Sequence, residues 1–142
     1  MADDGYTRLG TAKDDMMRLL MLATVGGAIG AGARHLVNVG FHRWLGPAFP
    51  WSTLFVNIAG SLVMGLLIEA LALRLNGSIE LRTFLATGIL GGFTTFSAFS
   101  LDAVNLIQRG DMPSAALYIG GSVMFSILGL YAGLSLARAV FA

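Results

Sequence analysis

The chain has 142 residues, 56% of them hydrophobic and 12% charged, with a formal net charge of +1. A mean hydropathy of +0.75 is too high for an ordinary soluble domain, and the length is too small for several domains. The absence of cysteine excludes disulfide scaffolds, thiolate metal sites and cysteine nucleophiles, while the scattered charges offer no basic field to nucleic acid.

Residues 1–15, "MADDGYTRLGTAKDD", mix acids, bases and small residues without periodicity. They are expected to be a disordered polar tail ahead of one membrane domain over 16–142. Beyond the tail, gaps between charges locate the spans, because a helix needs about 20 mostly apolar residues to cross a bilayer. Four such gaps predict an all-α membrane protein with four transmembrane helices.

The first span is uncharged over residues 19–33 and continues through Arg34 to about residue 39. Arg8, Lys13 and Arg18 ahead of this run, which ends in "AGA", also fit a cleaved secretory signal. Gly26 and Gly30 favour a retained helix, since a small-xxx-small pair suits close helix contact. Arg34 has two readings: an anchor that snorkels to the interface, or a positive pore mouth that concentrates anions.

The second span lies within residues 44–68, after a loop around "HRWLGPAFP", and Glu69 stands near its far end. Asn57 falls deep in this span with Ser61 one turn later. An amide in hydrocarbon needs partners, so Asn57 either bonds another helix or lines a pathway.

After the turn "RLNGSIE", the third span occupies residues 83–101 and contains "GGFTTFSAFS". Gly91 and Gly92 loosen a helix, and Thr94, Thr95 and Ser97 compete for the freed backbone groups. The helix is therefore expected to break near the bilayer centre, where released carbonyls could hold a hard cation. Phe96 and Phe99 share a helical face. They either pack the bundle or turn positive ring edges toward an anion.

Following "QRGDMPS", the fourth span lies within residues 112–137. Ser114, Tyr118, Ser122 and Ser126 recur every four residues, drifting about 40° per step into one hydroxylated stripe. Each hydroxyl either bonds back to its own helix or replaces water around a small anion. The middles of all four spans lack Asp, Glu, Lys and Arg, which disfavours carboxylate-driven proton coupling. Orientation is weakly encoded: Arg8, Lys13, Arg18, Arg74, Arg82 and Arg138 fall on one side against Arg34, Arg43 and Arg109 on the other. So small a bias could let copies insert both ways.

Three motifs, "GGAIGAGAR" over 26–34, "TLFVNIAGSLVMG" over 53–65 and "GGFTTFSAF" over 91–99, together with the four-span layout, resemble the Fluc (CrcB) family of small fluoride channels. The resemblance covers nearly all of the chain after the tail. It implies an antiparallel, dual-topology homodimer in the inner (plasma) membrane, not an enzyme, that exports fluoride passively through two interfacial pores and confers fluoride resistance. It implies a fluoride pathway of Asn57, Phe96, Phe99, Tyr118, Ser122 and Ser126, with Arg34 in the vestibule. It further implies a structural sodium ion held by the backbone carbonyls of Gly91 and Thr94 from both subunits. The chain departs from the family pattern at Ala98, where Thr is common, and in the length of its polar tail. Two rival readings are a small multidrug exporter, which relies on a membrane-buried glutamate absent from this first span, and a non-transporting assembly protein whose glycines and hydroxyls serve packing.

Overall fold

The computed structural model describes residues 4–73 and 77–141, with side chains from residue 13 onward; Arg74, the side chain of Arg8 and part of the turn after the second span lie outside it. Helix α1 runs Asp4–Leu45. Gly46 ends it with a φ of 72°, a left-handed conformation that glycine adopts without a Cβ clash. A short bent connection containing Pro47 and Pro50 then leads to helix α2, Trp51–Leu73, with the Trp51 N–H donating to the Phe49 carbonyl at 2.8 Å.

The third span is composite. Ser78 caps a short helix α3, Ile79–Arg82, by accepting from the Leu81 N–H at 3.3 Å. A π-helical segment, Thr83–Leu90, follows directly and passes into a single turn α4, Gly91–Phe93. Two extended residues, Thr94 (φ −80°, ψ 157°) and Thr95 (φ −155°, ψ 120°), then separate α4 from helix α5, Phe96–Gln108. The Thr95 hydroxyl restarts the helix by accepting from the Ala98 N–H at 3.2 Å. The interruption thus falls at the threonines, whereas the glycines expected to cause it are helical: Gly91 has φ −64° and ψ −36°. Gly92 serves close approach, because a Cβ there would strike the Gly27 carbonyl of α1.

Helix α5 closes with two bonds of the Schellman type, Gly110 N–H to the Ile107 carbonyl at 2.9 Å and Asp111 N–H to the Leu106 carbonyl at 3.1 Å. The Asp111 carboxylate accepts from the Ser114 N–H at 3.2 Å and so starts helix α6, Met112–Phe141, after the three-residue turn 109–111. Four stretches, Lys13–Leu45, Trp51–Leu73, Ile79–Gln108 and Met112–Phe141, are long and apolar enough to cross a membrane, as the sequence predicts.

Glycine decides which helices touch. At Gly26 and Gly30 an added Cβ would meet the Phe84 and Ile89 carbonyls of the π segment, so this pair does let α1 approach the third span closely. Gly65 and Gly133 act likewise between α2 and α6, each facing a carbonyl of the other helix. The far ends of α2 and α6 are tied by Arg138, whose Nε and one terminal nitrogen donate to the two Glu69 carboxylate oxygens at 2.7 and 3.3 Å. The buried core is small: Phe99, Ala103 and Leu106 of α5 pack on Ala115 and Tyr118 of α6, with Phe49 and Leu54 against them.

Candidate functional site: a neutral cleft beside the helix break

The break is held by one side chain. Asn57 of α2 accepts the Thr95 N–H on Oδ1 at 2.8 Å and donates from Nδ2 to the Thr95 carbonyl at 3.0 Å. This amide imitates the backbone partner that the extended residue has lost, and so satisfies both polar groups where water is scarce. The break takes helical donors from the carbonyls before it, those of Gly91 and Thr94 among them. In an unbroken helix the Gly91 carbonyl would accept from Thr95 N–H, which is given to Asn57, and the Thr94 carbonyl from Ala98 N–H, which is given to the Thr95 hydroxyl.

Beside the break lies a cleft of about 570 Å³, open on one side of the chain. Asn57 and Ser61 of α2, Gly91, Thr94, Phe96 and Phe99 of the third span, and Ser122 and Ser126 of α6 all line it. Among the described residues its lining contains no ionisable side chain. The Phe96 and Phe99 rings lie 5.3 Å apart at 41°, yet their surroundings differ: Phe96 is 77% exposed and Phe99 only 9%.

The serines carry the polarity of the cleft. Ser122 Oγ and Ser126 Oγ are buried and have no hydrogen-bond partner among the described residues. Membrane hydroxyls ordinarily bond back one turn, as Thr24 does to the Leu20 carbonyl, Thr94 to Leu90 and Ser100 to Phe96. Ser122 and Ser126 depart from that habit and leave their O–H donors uncommitted among the described residues.

Two predicted residues stand elsewhere. Tyr118 is fully buried, stacked against Phe99 at 5.3 Å and edge-on to Phe49 at 5.7 Å, and its hydroxyl donates to Asp102 Oδ2 at 3.2 Å. Tyr118 thus continues the stripe beyond the cleft wall without lining the cleft. Arg34 lines a separate cleft of about 210 Å³ with His35, Asn38, Ser52, Thr53 and Ala98. There Ser52 donates to Asn38 Oδ1 at 2.7 Å. Thr95 borders both spaces, so the break is their shared wall, and Ala98 belongs to the arginine side.

Asp102 was not anticipated, because it falls one residue past the uncharged run that defined the third span. Its signal was positional: Phe99, Asp102, Ala103 and Leu106 recur at helical spacing, which places the carboxylate on the packed face of α5. Glu69, the acid a proton-coupled exporter would need, is engaged by Arg138 and does not line the cleft.

Residues 21–134 match the model of the CrcB-like proteins, described as Camphor Resistance (CrcB). The chain belongs to the CrcB family. Similar CrcB relatives include the fluoride-specific ion channel FluC of Agrobacterium fabrum, 56% identical over 126 residues that cover 89% of this chain and all of that one. The FluC of a Chelativorans species is 58% identical over 121 residues, covering 85% of this chain and 97% of its own. That of Nitrobacter winogradskyi is 49% identical over 121 residues, 85% and 96% of the two chains. These CrcB relatives are ion channels and not enzymes, and the family match over residues 21–134 includes every residue that lines the cleft.

Proposed function

We propose that this CrcB chain is a fluoride channel that exports fluoride passively across the inner (plasma) membrane and so confers fluoride resistance. The observation that carries the reading is that Ser122 and Ser126, whose buried hydroxyls have no partner among the described residues, line one cleft with the exposed Phe96 ring and no ionisable group. Fluoride is small and strongly hydrated, so a path must return donors to it while binding weakly enough for exit. Hydroxyl donors and positive ring edges supply attraction without a fixed cation that would trap the ion. The names of the close relatives point the same way.

Asn57, Phe96, Phe99, Ser122 and Ser126 form the path in this reading. Tyr118 backs the Phe99 ring from behind the cleft wall, and Arg34 collects anions in the vestibule. The cleft is open and Phe96 is exposed at a depth where lipid would otherwise meet it, which favours a second, antiparallel copy as the missing wall. Such a two-fold dimer contains two pores. The carbonyls of Gly91 and Thr94, deprived of their helical donors, suit a structural sodium ion shared between copies: hard oxygens of neutral peptide groups fit a monovalent hard cation. Bound there, the ion would neutralise the released carbonyl dipoles.

With no carboxylate in the cleft to couple protons, transport is electrodiffusion, and a negative interior drives the anion outward by about 2.3 kcal/mol per 100 mV. Purified protein in liposomes loaded with potassium fluoride tests the proposal, with valinomycin as the potassium shunt. Rapid fluoride efflux with little chloride efflux is expected. Equal chloride flux, drug-for-proton exchange or no flux rejects it.

A further inference from the structure

The smaller cleft, which shares Thr95 with the neutral one, carries charge chemistry that the fluoride path lacks. Its α1 wall is Ala31, Arg34, His35 and Asn38, the i, i+3, i+4 and i+7 positions of one helical face. Neighbours in sequence thus bring a guanidinium and an imidazole to the same space of about 210 Å³. Among the described residues no carboxylate pairs with either.

The imidazole is the group in this cleft whose charge changes near neutral pH. The remaining walls are neutral: Ser52, Thr53 and Val56 from α2, and Thr95 and Ala98 from the third span. The elements packed on α1 add no further titrating group there. The π segment and α4 contain no ionisable residue, and Glu69 of α2 is held by Arg138 at the far end. Asp102 of α5 accepts from the Tyr118 hydroxyl of α6, and neither lines this cleft. The charges of α3, Glu80 and Arg82, lie near Arg18, which pairs with Glu80 about 25 Å back along α1. His42, the other histidine of the chain, stands with Arg43 in the last turn of α1, outside the cleft.

We propose that His35 is a second, titratable cation of the anion vestibule: when protonated it joins Arg34 in concentrating fluoride, so fluoride current rises as pH falls. The inference rests on the channel reading and names a regulation of its entrance. Above the imidazole range the cleft holds one positive charge, and below that range it holds two. A further unit charge roughly 6 Å from an anion in a water-like dielectric raises the local anion concentration about threefold.

Full-length protein in planar bilayers, with equal subsaturating sodium fluoride on both sides, tests this by single-channel current, which neutral hydrogen fluoride does not carry. The current should be about threefold larger at about pH 5.5 than at about pH 8. His35→Gln should carry the same current at both, and His35→Lys, a fixed cation, the larger current at both. His42→Gln should keep the dependence of the parent. A second readout needs no conduction, because binding linkage is reciprocal: the His35 ring signal in proton NMR should titrate at higher pH in fluoride than without it at equal ionic strength. A parent current indifferent to pH, a dependence that survives in His35→Gln or vanishes in His42→Gln, or a His35 titration unmoved by fluoride overturns this assignment alone. Absence of fluoride current at both pH values overturns the channel reading and this inference with it.

Discussion

Ser122 and Ser126 show how little a side chain must do to become useful in a membrane: each leaves undone the backbone bond that similar hydroxyls make. Because neither oxygen has a partner among the described residues, Ser122→Ala and Ser126→Ala should reduce fluoride efflux while leaving the melting temperature in detergent within about 2 °C of the parent, as expected for a change of at most about 0.5 kcal/mol. A large loss of stability would return the serines to a packing role. The two phenylalanines separate in the same way. Phe96→Ile should suppress efflux without unfolding the chain, since the ring is mostly exposed in a single copy, whereas Phe99→Ile also removes a ring from the Tyr118 core. Asn57 differs from all of these. Asn57→Ala would orphan both the Thr95 N–H and its carbonyl, at about 1–3 kcal/mol each, and should therefore lose stability and flux together in a denaturation series. Retained stability in that variant would mean water can replace the amide.

At the scale of elements, glycine spacing controls how near the helices come, and the break depends on that nearness. The π segment lies against α1 because Gly26 and Gly30 present no Cβ to its carbonyls. Gly30→Leu should destabilise the bundle by at least about 1–3 kcal/mol, the cost of overpacking where the neighbour is backbone and cannot rotate away. Gly32→Leu, one half-turn on, meets nothing within 4 Å and should melt like the parent; thermal melts followed by size-exclusion chromatography compare the two. The third span was foreseen as helical and interrupted, because glycine and hydroxyl residues crowd its middle. Its π segment was not foreseen, since an i to i+5 bulge has no residue signature and arises from packing around close helical contacts. The exact site of interruption escaped for a similar reason: Gly91 and Gly92 are individually weak helix residues, but the partner that stabilises the extended form is Asn57, 38 positions from Thr95.

At the scale of the whole molecule, α2, the third span and α6 line the cleft and leave one side of it open. The chain lacks cysteine, so a single introduced thiol reports its own neighbours. Ile127→Cys, on the cleft rim, should form crosslinked dimers with a short bifunctional reagent in membranes. Leu36→Cys, on the exposed face of α1, should not. The weak charge bias makes a second expectation. Adding lysines beside Arg109 should force one orientation and abolish efflux, and co-expression with a variant biased the other way should restore it. Flux from the forced single orientation alone would exclude an antiparallel pair.

Hydropathy, charge gaps and glycine spacing were enough to determine four spans, a face of the first suited to close helix contact, an interruption near the middle of the third, and a polar stripe on the fourth. These features are local, set by residues within a few turns of one another. Only tertiary structure decided which stripe members matter together: Ser122 and Ser126 face the cleft, Tyr118 turns to Asp102, and Arg34 stands behind the break with Ala98. Helical periodicity defines a face but not what lies opposite it. The Asn57 to Thr95 pairing, which joins distant segments to satisfy two backbone groups in hydrocarbon, converts those separate faces into one site.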